Sequence, residues 1–323
     1  MKLIRHVSAR RSLSLAVLVP AAALMAADPS LASGNGGSSG SGEGARPTVV
    51  LVHGAWADDS GWNEVIRSLQ SEGYPVVATA NPLRGLTGDS AHLAARLKTV
   101  KGPVVLVGHS YGGAVITNAA AGNPNVKSLV HIAAFAPDRG ETALQLAAKY
   151  PGSHLTDDPD APLPTALAAI PLSSDPTDVD TYIKPDKFGD VFLSDRTAAD
   201  RAAALAAAQR PAHVATSAET TRAVAWRTIP SWYLVATDDR TIGTDNLRFM
   251  AERAGSTTVE VDAPHAVLET DSDDVTDLIL RAARDSRPAL AATGASDRAA
   301  VLGGAAVLAV AGGTALVVRS RRA

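Results

Sequence analysis

The sequence predicts an α/β fold in which a mainly parallel sheet is covered by helices on both faces. Short apolar runs alternate with longer segments of helical character. We predict strands near 48–53, 75–80, 103–109, 127–133, 230–236 and 257–262, and helices near 60–72, 89–99, 111–121, 244–254 and 272–284. This alternation is typical of parallel sheets, whose ligands bind at the carboxyl ends of the strands.

The alternation stops between residues 138 and 228. This stretch is rich in proline and aspartate and ends in an alanine-rich run. Because about ninety structureless residues would be unusual inside a compact domain, we predict a helical cap inserted after the fourth strand.

The composition of the chain excludes several classes of protein and of binding site. Residues 46–285 are long enough to form one domain with an ample core. The chain has no cysteine, which excludes disulfides and thiolate metal sites. A net charge of −3 gives no basic footprint for nucleic acid, and the histidines lack the H-E-x-x-H spacing of zinc hydrolases. We therefore expect no nucleic-acid partner, no metal and no cofactor.

The sequence Gly108-His109-Ser110-Tyr111-Gly112 lies between an apolar run and a run of small residues. The pattern G-x-S-x-G between a strand and a helix is typical of a nucleophile elbow. Gly108 and Gly112 would let the strand and the helix approach closely. We predict that Ser110 is a nucleophile. The alternative is an ordinary strand–turn–helix joint with a solvated serine.

A serine nucleophile needs a base and a third group that orients the base. With an elbow of this kind the chain order is serine, acid, histidine. Of the eight histidines, only His265 follows a plausible acid-bearing strand near the end of the domain. That strand runs into Asp238 and Asp239, whose side chains point in opposite directions. We predict Asp239 as the acid, with Asp238 as the alternative.

The oxyanion hole needs two backbone amides. Tyr111 follows the nucleophile and supplies one, and the loop after the first strand supplies the other, for which we predict Ala55. His53 and His109 stand beside these positions, and we expect both to hold loops by hydrogen bonds rather than to carry protons.

These residues and their order resemble the α/β-hydrolase superfamily. Within it the chain is similar to the branch that holds plant methyl-ester esterases, hydroxynitrile lyases and related bacterial hydrolases. The resemblance spans roughly residues 47–284 and rests on segments 51–56, 61–62, 81–85, 107–113, 133–138, 237–240 and 261–265. It implies an α/β-hydrolase fold, and it favours Asp239, the aspartate just before the basic residue.

Three positions depart from patterns in that branch. Relatives often carry proline where this chain has Gly243. Hydroxynitrile lyases carry threonine where Gly54 stands and lysine where Ala266 stands. The absence of these two groups favours ester hydrolysis over C–C cleavage.

We therefore expect a serine carboxylic-ester hydrolase that forms an acyl-enzyme on a small or medium ester. The apolar cap residues Leu144, Leu146, Leu163, Ile170 and Phe192 suggest an apolar substrate group, but they would equally form a cap core. Two alternatives use the same fold: a catalytically silent or adhesive surface module, and a cofactor-free haloperoxidase-like or lyase activity with the same triad.

The first 45 residues predict export. Residues 1–32 combine basic residues, an apolar stretch and small residues, as in a secretory signal peptide that signal peptidase removes. Arg10-Arg11 leaves twin-arginine export open beside the general route. Residues 33–45 form a Gly/Ser-rich flexible linker.

The last 38 residues predict anchoring. A spacer, 286–298, contains Leu290-Ala-Ala-Thr-Gly294, an apolar segment follows at 299–318, and 319–323 form a basic tail. The segment has the length of a transmembrane helix. The arrangement resembles an L-A-x-T-G sorting signal, which implies that a sortase cuts after Thr293 and joins the protein to peptidoglycan in the cell wall. The alternative is a cell-membrane anchor with the domain outside.

Overall fold

The computed structural model describes residues 46–158 and 160–286. These contain the strands β1 (Thr48–Val52), β2 (Val76–Thr79), β3 (Val104–His109), β4 (Val126–Ile132), β5 (Leu167–Pro171), β6 (Val179–Ile183), β7 (Ala212–His213), β8 (Ser231–Asp238) and β9 (Thr257–Pro264). They also contain the helices α1 (Asn63–Ser71), α2 (Leu86–Leu97), α3 (Tyr111–Ala119), α4 (Ala143–Ala147), α5 (Pro185–Leu193), α6 (Ala199–Ala207), α7 (Ala215–Ala218), α8 (Thr244–Arg253), α9 (Val267–Thr270) and α10 (Ser272–Asp285).

Six strands form one parallel sheet in the order β2-β1-β3-β4-β8-β9. The central strand β3 is buried along its whole length, and its Val107 pairs with Leu51 on one side and Val130 on the other. Continuous Val and Leu runs form such strands because both faces of the sheet are covered. The predicted fold class is confirmed.

Amphipathic helices cover this sheet. Helix α1 packs on α10, which lies against β3, β4 and β8, while α2 packs on α3, which lies against β1, β3 and β4. In α10 the buried residues Val275, Leu278, Ile279 and Ala282 recur every three or four positions, so one stripe faces the sheet. These helices fix the carboxyl edge of the sheet, where the candidate site lies.

The boundaries of the six sheet strands and of the five predicted helices differ from the prediction by at most three residues. The stretch from 138 to 228 differs in kind. It holds α4 to α7, but also an antiparallel sheet in the order β5-β6-β7. The prediction of a helical cap was therefore wrong in part. The five-residue strands β5 and β6 are too short for periodicity to separate them from other structure.

Several predicted segments lie outside the described residues: the signal peptide (1–32), the linker (33–45), the motif Leu290–Gly294, the apolar segment (299–318) and the basic tail (319–323). Among residues 46–158 and 160–286, no helix is both long enough and apolar enough to cross a membrane.

Candidate active site

Ser110 sits on a strained turn between β3 and α3. Its φ and ψ are 54° and −124°, a conformation that costs energy in a residue with a side chain. The amides of Gly113 and Phe135 donate to the Ser110 carbonyl at 3.0 and 3.1 Å and hold the turn. A Cβ on Gly108 would lie 2.6 Å from the Gly112 backbone, and one on Gly112 would lie 2.5 Å from the Val52 oxygen. The elbow therefore requires both glycines.

His265 brings its ring between the serine and a carboxylate. It follows β9, and its Nε2 lies 2.8 Å from Ser110 Oγ. On the other side its Nδ1 lies 2.7 Å from Asp239 Oδ2. Because a carboxylate only accepts, Nδ1 carries the proton and donates, and Nε2 accepts from the serine hydroxyl. The side chains of His265 and Asp239 are fully buried.

Asp239 is held by more than the histidine. Its Oδ1 accepts the backbone amides of Thr241 at 2.9 Å, Ile242 at 2.7 Å and Gly243 at 3.4 Å. Burial by itself would raise the pKa of Asp239. The charge and hydrogen bond of His265 and the amides of Ile242 and Thr241 outweigh burial and lower that pKa. The carboxylate is therefore ionised and fixed in orientation near neutral pH.

Asp238 faces the other way. Its Oδ2 accepts from Arg196 Nε at 3.0 Å, and its Oδ1 accepts from Arg240 Nε at 3.3 Å. Asp239 thus contacts His265, whereas Asp238 pairs with two arginines. This is the geometry expected when adjacent side chains at the end of a strand point apart.

Gly243 belongs to the loop that holds the acid. Its φ is +91°, which is accessible to glycine and closed to proline. A proline would also lack the N–H that faces Asp239 Oδ1. Glycine, not proline, is therefore the residue that this backbone path requires. It allows the backbone path that points three amides at the acid.

The predicted oxyanion donors lie around the same space. Ala55 and Tyr111 are buried and line one cavity together with Ser110. Tyr111 is the first residue of α3, and the first amides of a helix have no partner within it. A Cβ on Gly54 would lie 2.6 Å from Ser110 Cβ and 3.1 Å from Ser110 Oγ. The loop that carries Ala55 can pass this close to the serine only because residue 54 has no side chain.

His53 and His109 make hydrogen bonds to the backbone beside the triad. His53 Nδ1 donates to the Gly54 carbonyl at 2.9 Å, and its Nε2 accepts the Asn81 amide at 2.9 Å. His109 Nε2 donates to the His265 carbonyl at 2.9 Å. Burial lowers the pKa of His53, and burial together with neighbouring His265 lowers the pKa of His109 to about 3. Both rings are neutral near pH 7.

Asp89 is a site residue that the sequence analysis missed. Its Oδ2 accepts the Tyr111 hydroxyl at 2.8 Å, and its Oδ1 accepts the Arg84 amide at 3.1 Å. It is 1% exposed and lies on the buried stripe of α2, with Leu86 and Leu93. A carboxylate at an apolar-stripe position was the available signal. The bond fixes the side chain of Tyr111, whose amide is a predicted oxyanion donor.

The cavity around Ser110 has mainly apolar walls and encloses about 610 Å³, including the part open to solvent. Of the five apolar cap residues singled out from the sequence, Leu144 and Leu163 line it. Leu146 is buried in the core, Phe192 packs on His265, and Ile170 is 49% exposed. The cap therefore supplies some of the pocket walls, and the sequence did not separate those residues from the others.

Part of this sequence is similar to that of a known esterase. A curated relative, the carbendazim-hydrolyzing esterase of Nocardioides sp. (strain SG-4G), is 34% identical over 113 residues, which cover 31% of this chain and 47% of the relative. The chain thus matches about half of the length of that relative.

Solved structures share the fold at lower identity. An extracellular α/β-hydrolase from a Paenibacillus species is 22% identical with a TM-score of 0.58, and it covers 74% of this chain and 100% of its own. Polyneuridine aldehyde esterase is 17% identical with a TM-score of 0.61, over 73% of this chain and 99% of its own. A pyrethroid hydrolase from Sphingobium faniae JZ-2 is 19% identical with a TM-score of 0.59, over 74% and 97%.

The profile of one family covers most of the described residues. It matches residues 49–278, a range that begins in β1, ends in α10 and includes Ser110, Asp239 and His265. The chain belongs to the alpha/beta hydrolase family.

Proposed function

We propose that this protein is a serine carboxylic-ester hydrolase of the carboxylesterase type, which acts through an acyl-enzyme on small or medium esters. One observation carries the proposal: an unbroken chain of hydrogen bonds from Ser110 Oγ through the His265 ring to Asp239, with distances of 2.8 and 2.7 Å. Such a chain converts a weak nucleophile into an active one.

Acylation begins when Ser110 Oγ attacks the ester carbonyl carbon while its proton passes to His265 Nε2. The negative charge that develops on the carbonyl oxygen is stabilised by the amides of Ala55 and Tyr111. The C–O bond to the alcohol then breaks, and the proton on Nε2 moves to the leaving oxygen. Asp239 stabilises the charged imidazolium during this step.

Deacylation repeats the sequence with water. His265 takes a proton from water, the hydroxide attacks the acyl carbon, and the bond to Ser110 Oγ breaks as the proton returns to that oxygen. The products are the carboxylic acid and the free serine. Besides the ester and one water molecule, these steps use only groups of this chain.

Two positions support hydrolysis over cyanohydrin cleavage. At position 54, even a Cβ would lie 2.6 Å from Ser110 Cβ, so a threonine hydroxyl has no room there. Ala266 is buried, and its amide donates to the Phe192 carbonyl at 3.1 Å. An alanine at this position places no ammonium group beside the triad.

Labelling with a fluorophosphonate probe tests the proposal. Purified protein is expected to be labelled at Ser110 and to hydrolyse p-nitrophenyl acetate. Ser110→Ala should lose labelling and at least about 10³-fold in turnover while its circular dichroism is unchanged. Absence of labelling in the wild-type protein would argue for a silent surface module. Turnover of the alanine variant near the wild-type rate would reject the mechanism.

We further propose that the enzyme is exported and joined to the cell wall. The support is the order of the sequence features: signal peptide, domain, Leu290–Gly294, apolar segment and basic tail. The expected mature chain begins near Ser33, ends at Thr293 and is released by cell-wall hydrolases but not by detergent. Thr293→Ala should divert it to the membrane or the medium. Recovery of wild-type protein in detergent with residues 319–323 intact would instead indicate a membrane anchor.

A further inference from the structure

Two cavities meet at Trp56. The first is the cavity around Ser110 described above. The second lies between the loop after β1, helices α5 and α6, and the residues after His265, and its walls include His109, Phe188, Phe192, Leu205 and Ala266. In the described part of the chain, Trp56 is the one residue that lines both cavities. Trp56 also packs against both hydrophobic clusters that border these cavities, and we call it the wall between them.

The second cavity lies on the side of the base. The ring centroids of His109 and Phe192 are 4.9 and 5.1 Å from that of His265, and both residues line this cavity. On an ester bound at Ser110, the leaving oxygen must come within hydrogen-bond reach of His265 Nε2 to receive its proton. The alcohol group therefore leaves the reacting carbon towards His265, and the acyl group stays in the first cavity.

Trp56 is held in place rather than free to swing. Its indole Nε1 donates to Thr181 Oγ1 at 3.3 Å, and Thr181 Oγ1 in turn donates to the Ala212 carbonyl at 2.7 Å. Its φ is +58°, an unusual conformation for a bulky side chain, which persists only where the surroundings determine it. Both hydrogen bonds reach the cap, so the cap fixes the wall.

We propose that Trp56 is a specificity-determining residue that limits the size of the alcohol group, and that the second cavity is an alcohol subsite closed off from Ser110 by the indole. This inference rests on the proposed ester hydrolysis. It assigns to the second cavity the larger apolar alcohol groups that enter once the indole is removed, because Phe188, Phe192, Leu205 and Ala266 form much of its wall.

The test uses Trp56→Gly, since glycine adopts φ of +58° without strain, and Trp56→Phe, which keeps most of the wall. Two ester panels are compared: one acid with alcohols from ethyl to benzyl, and ethyl esters of acids of increasing length. For Trp56→Gly, the ratio of kcat/KM for benzyl over ethyl esters should rise about tenfold or more, and this gain should exceed any change across the acid panel, because Trp56 also borders the acyl cavity. Trp56→Phe should change the ratio much less.

Refilling the cavity sharpens the test. Ala207 and Ala208 are both exposed, but Ala208 lines the second cavity and Ala207 does not. Adding Ala208→Trp to Trp56→Gly should cancel the gain for benzyl esters, whereas adding Ala207→Trp should preserve it. No change in the alcohol panel, or a change in the acid panel instead, would overturn the proposal.

Labelling with the fluorophosphonate probe distinguishes failure of the proposed function from failure of the assignment of Trp56. If the wild-type protein is not labelled at Ser110 and hydrolyses neither panel, the proposed function fails. If Trp56→Gly is not labelled, its site is not assembled. Thr181→Val then decides, because it removes the hydrogen-bond acceptor of the indole while residue 56 remains tryptophan. This variant should raise the benzyl ratio about two- to threefold, and an unchanged ratio would overturn the assignment of Trp56.

Discussion

The parallel sheet and the cap are built differently. Strand β3 is buried along its whole length, and its register is set by pairing on both sides. In the cap, β5 lies at the edge of its small sheet with Ile170 49% exposed, and no residue of α6 is fully buried. The sheet positions the triad, whereas the cap supplies pocket walls.

The bonds that hold each region also differ. Asp239 is fixed by buried backbone amides and by His265. The cap is joined to the sheet domain partly by exposed pairs such as Arg201 with Glu269 and Arg196 with Asp262, and exposed ion pairs typically contribute only about 0–1 kcal/mol each. We infer that substitutions near the sheet edge alter chemistry, while substitutions in the cap alter selectivity.

The largest expected effect is at the acid. Asp239→Asn should lower kcat by about 10⁴-fold, because an amide cannot hold the imidazole in the required tautomer. Asp238→Asn is the matched control and should cost far less, since Asp238 pairs with arginines. Steady-state kinetics on p-nitrophenyl acetate measures both. If Asp238→Asn were the worse variant, the two roles would be exchanged.

The next largest effect is expected from adding a single methyl group beside Ser110. In Gly54→Ala the new Cβ would meet Ser110 Cβ at 2.6 Å, so the serine or the oxyanion loop must move. A displacement of about 1 Å costs about 10²-fold in rate. Gly88→Ala, with nothing within 4 Å of its Cβ, is the control. Equal kcat/KM for the two variants would show that the loop is not tightly positioned.

Buried histidines in the sheet should make stability depend on pH. Burial lowers the pKa of His131 to about 4, whereas an unfolded histidine has a pKa of about 6.5. Below that value the unfolded state binds a proton that the folded state does not, so the free energy of unfolding falls as the pH drops towards 4. The loss is about 1.4 kcal/mol per pH unit for this residue.

Urea unfolding at several pH values between 4.5 and 7.5 tests this origin. His131→Gln should flatten the pH dependence by about one proton, even if the variant is less stable at every pH. The exposed His92→Gln is the reference substitution. A slope in His131→Gln equal to that of the wild type would exclude His131 as a source.

The smallest effect is expected in the cap. Leu144 is 45% exposed and lines the Ser110 cavity. Leu144→Ala should leave the unfolding midpoint nearly unchanged and lower kcat/KM for longer acyl esters about three- to tenfold. The acetate ester provides the internal reference. A large loss of stability would mean that the cap is as tightly determined as the sheet.

The sequence was sufficient for the inner strands of the sheet because they contain continuous Val- and Leu-rich runs, such as 103–107. It was sufficient to select Ser110, Asp239 and His265 as candidates because strand ends and chain order restrict them. The resemblance strengthened the choice of Asp239 over Asp238, and the three amides on Asp239 became visible only in the structure.

The structure of the cap was harder to predict from the sequence, for physical reasons. Its β6 alternates weakly over five residues and pairs with β5 and β7, so its identity depends on partners rather than on local pattern. The position of Trp56 depends on Thr181, which is 125 residues away. Contacts of that range leave no periodic signal in one sequence.

The order of the strands has a consequence for folding. Ser110 follows β3 in the middle of the sheet, while His265 follows the edge strand β9, 155 residues later. Contacts so distant in the chain form slowly, since closing a long loop costs entropy before the contact stabilises anything. Strand β9 pairs with β8 alone within the described sheet. His265 therefore reaches Ser110 only when the last strand docks, so recovery of the proposed ester turnover during refolding would report the completed sheet rather than an earlier collapsed state.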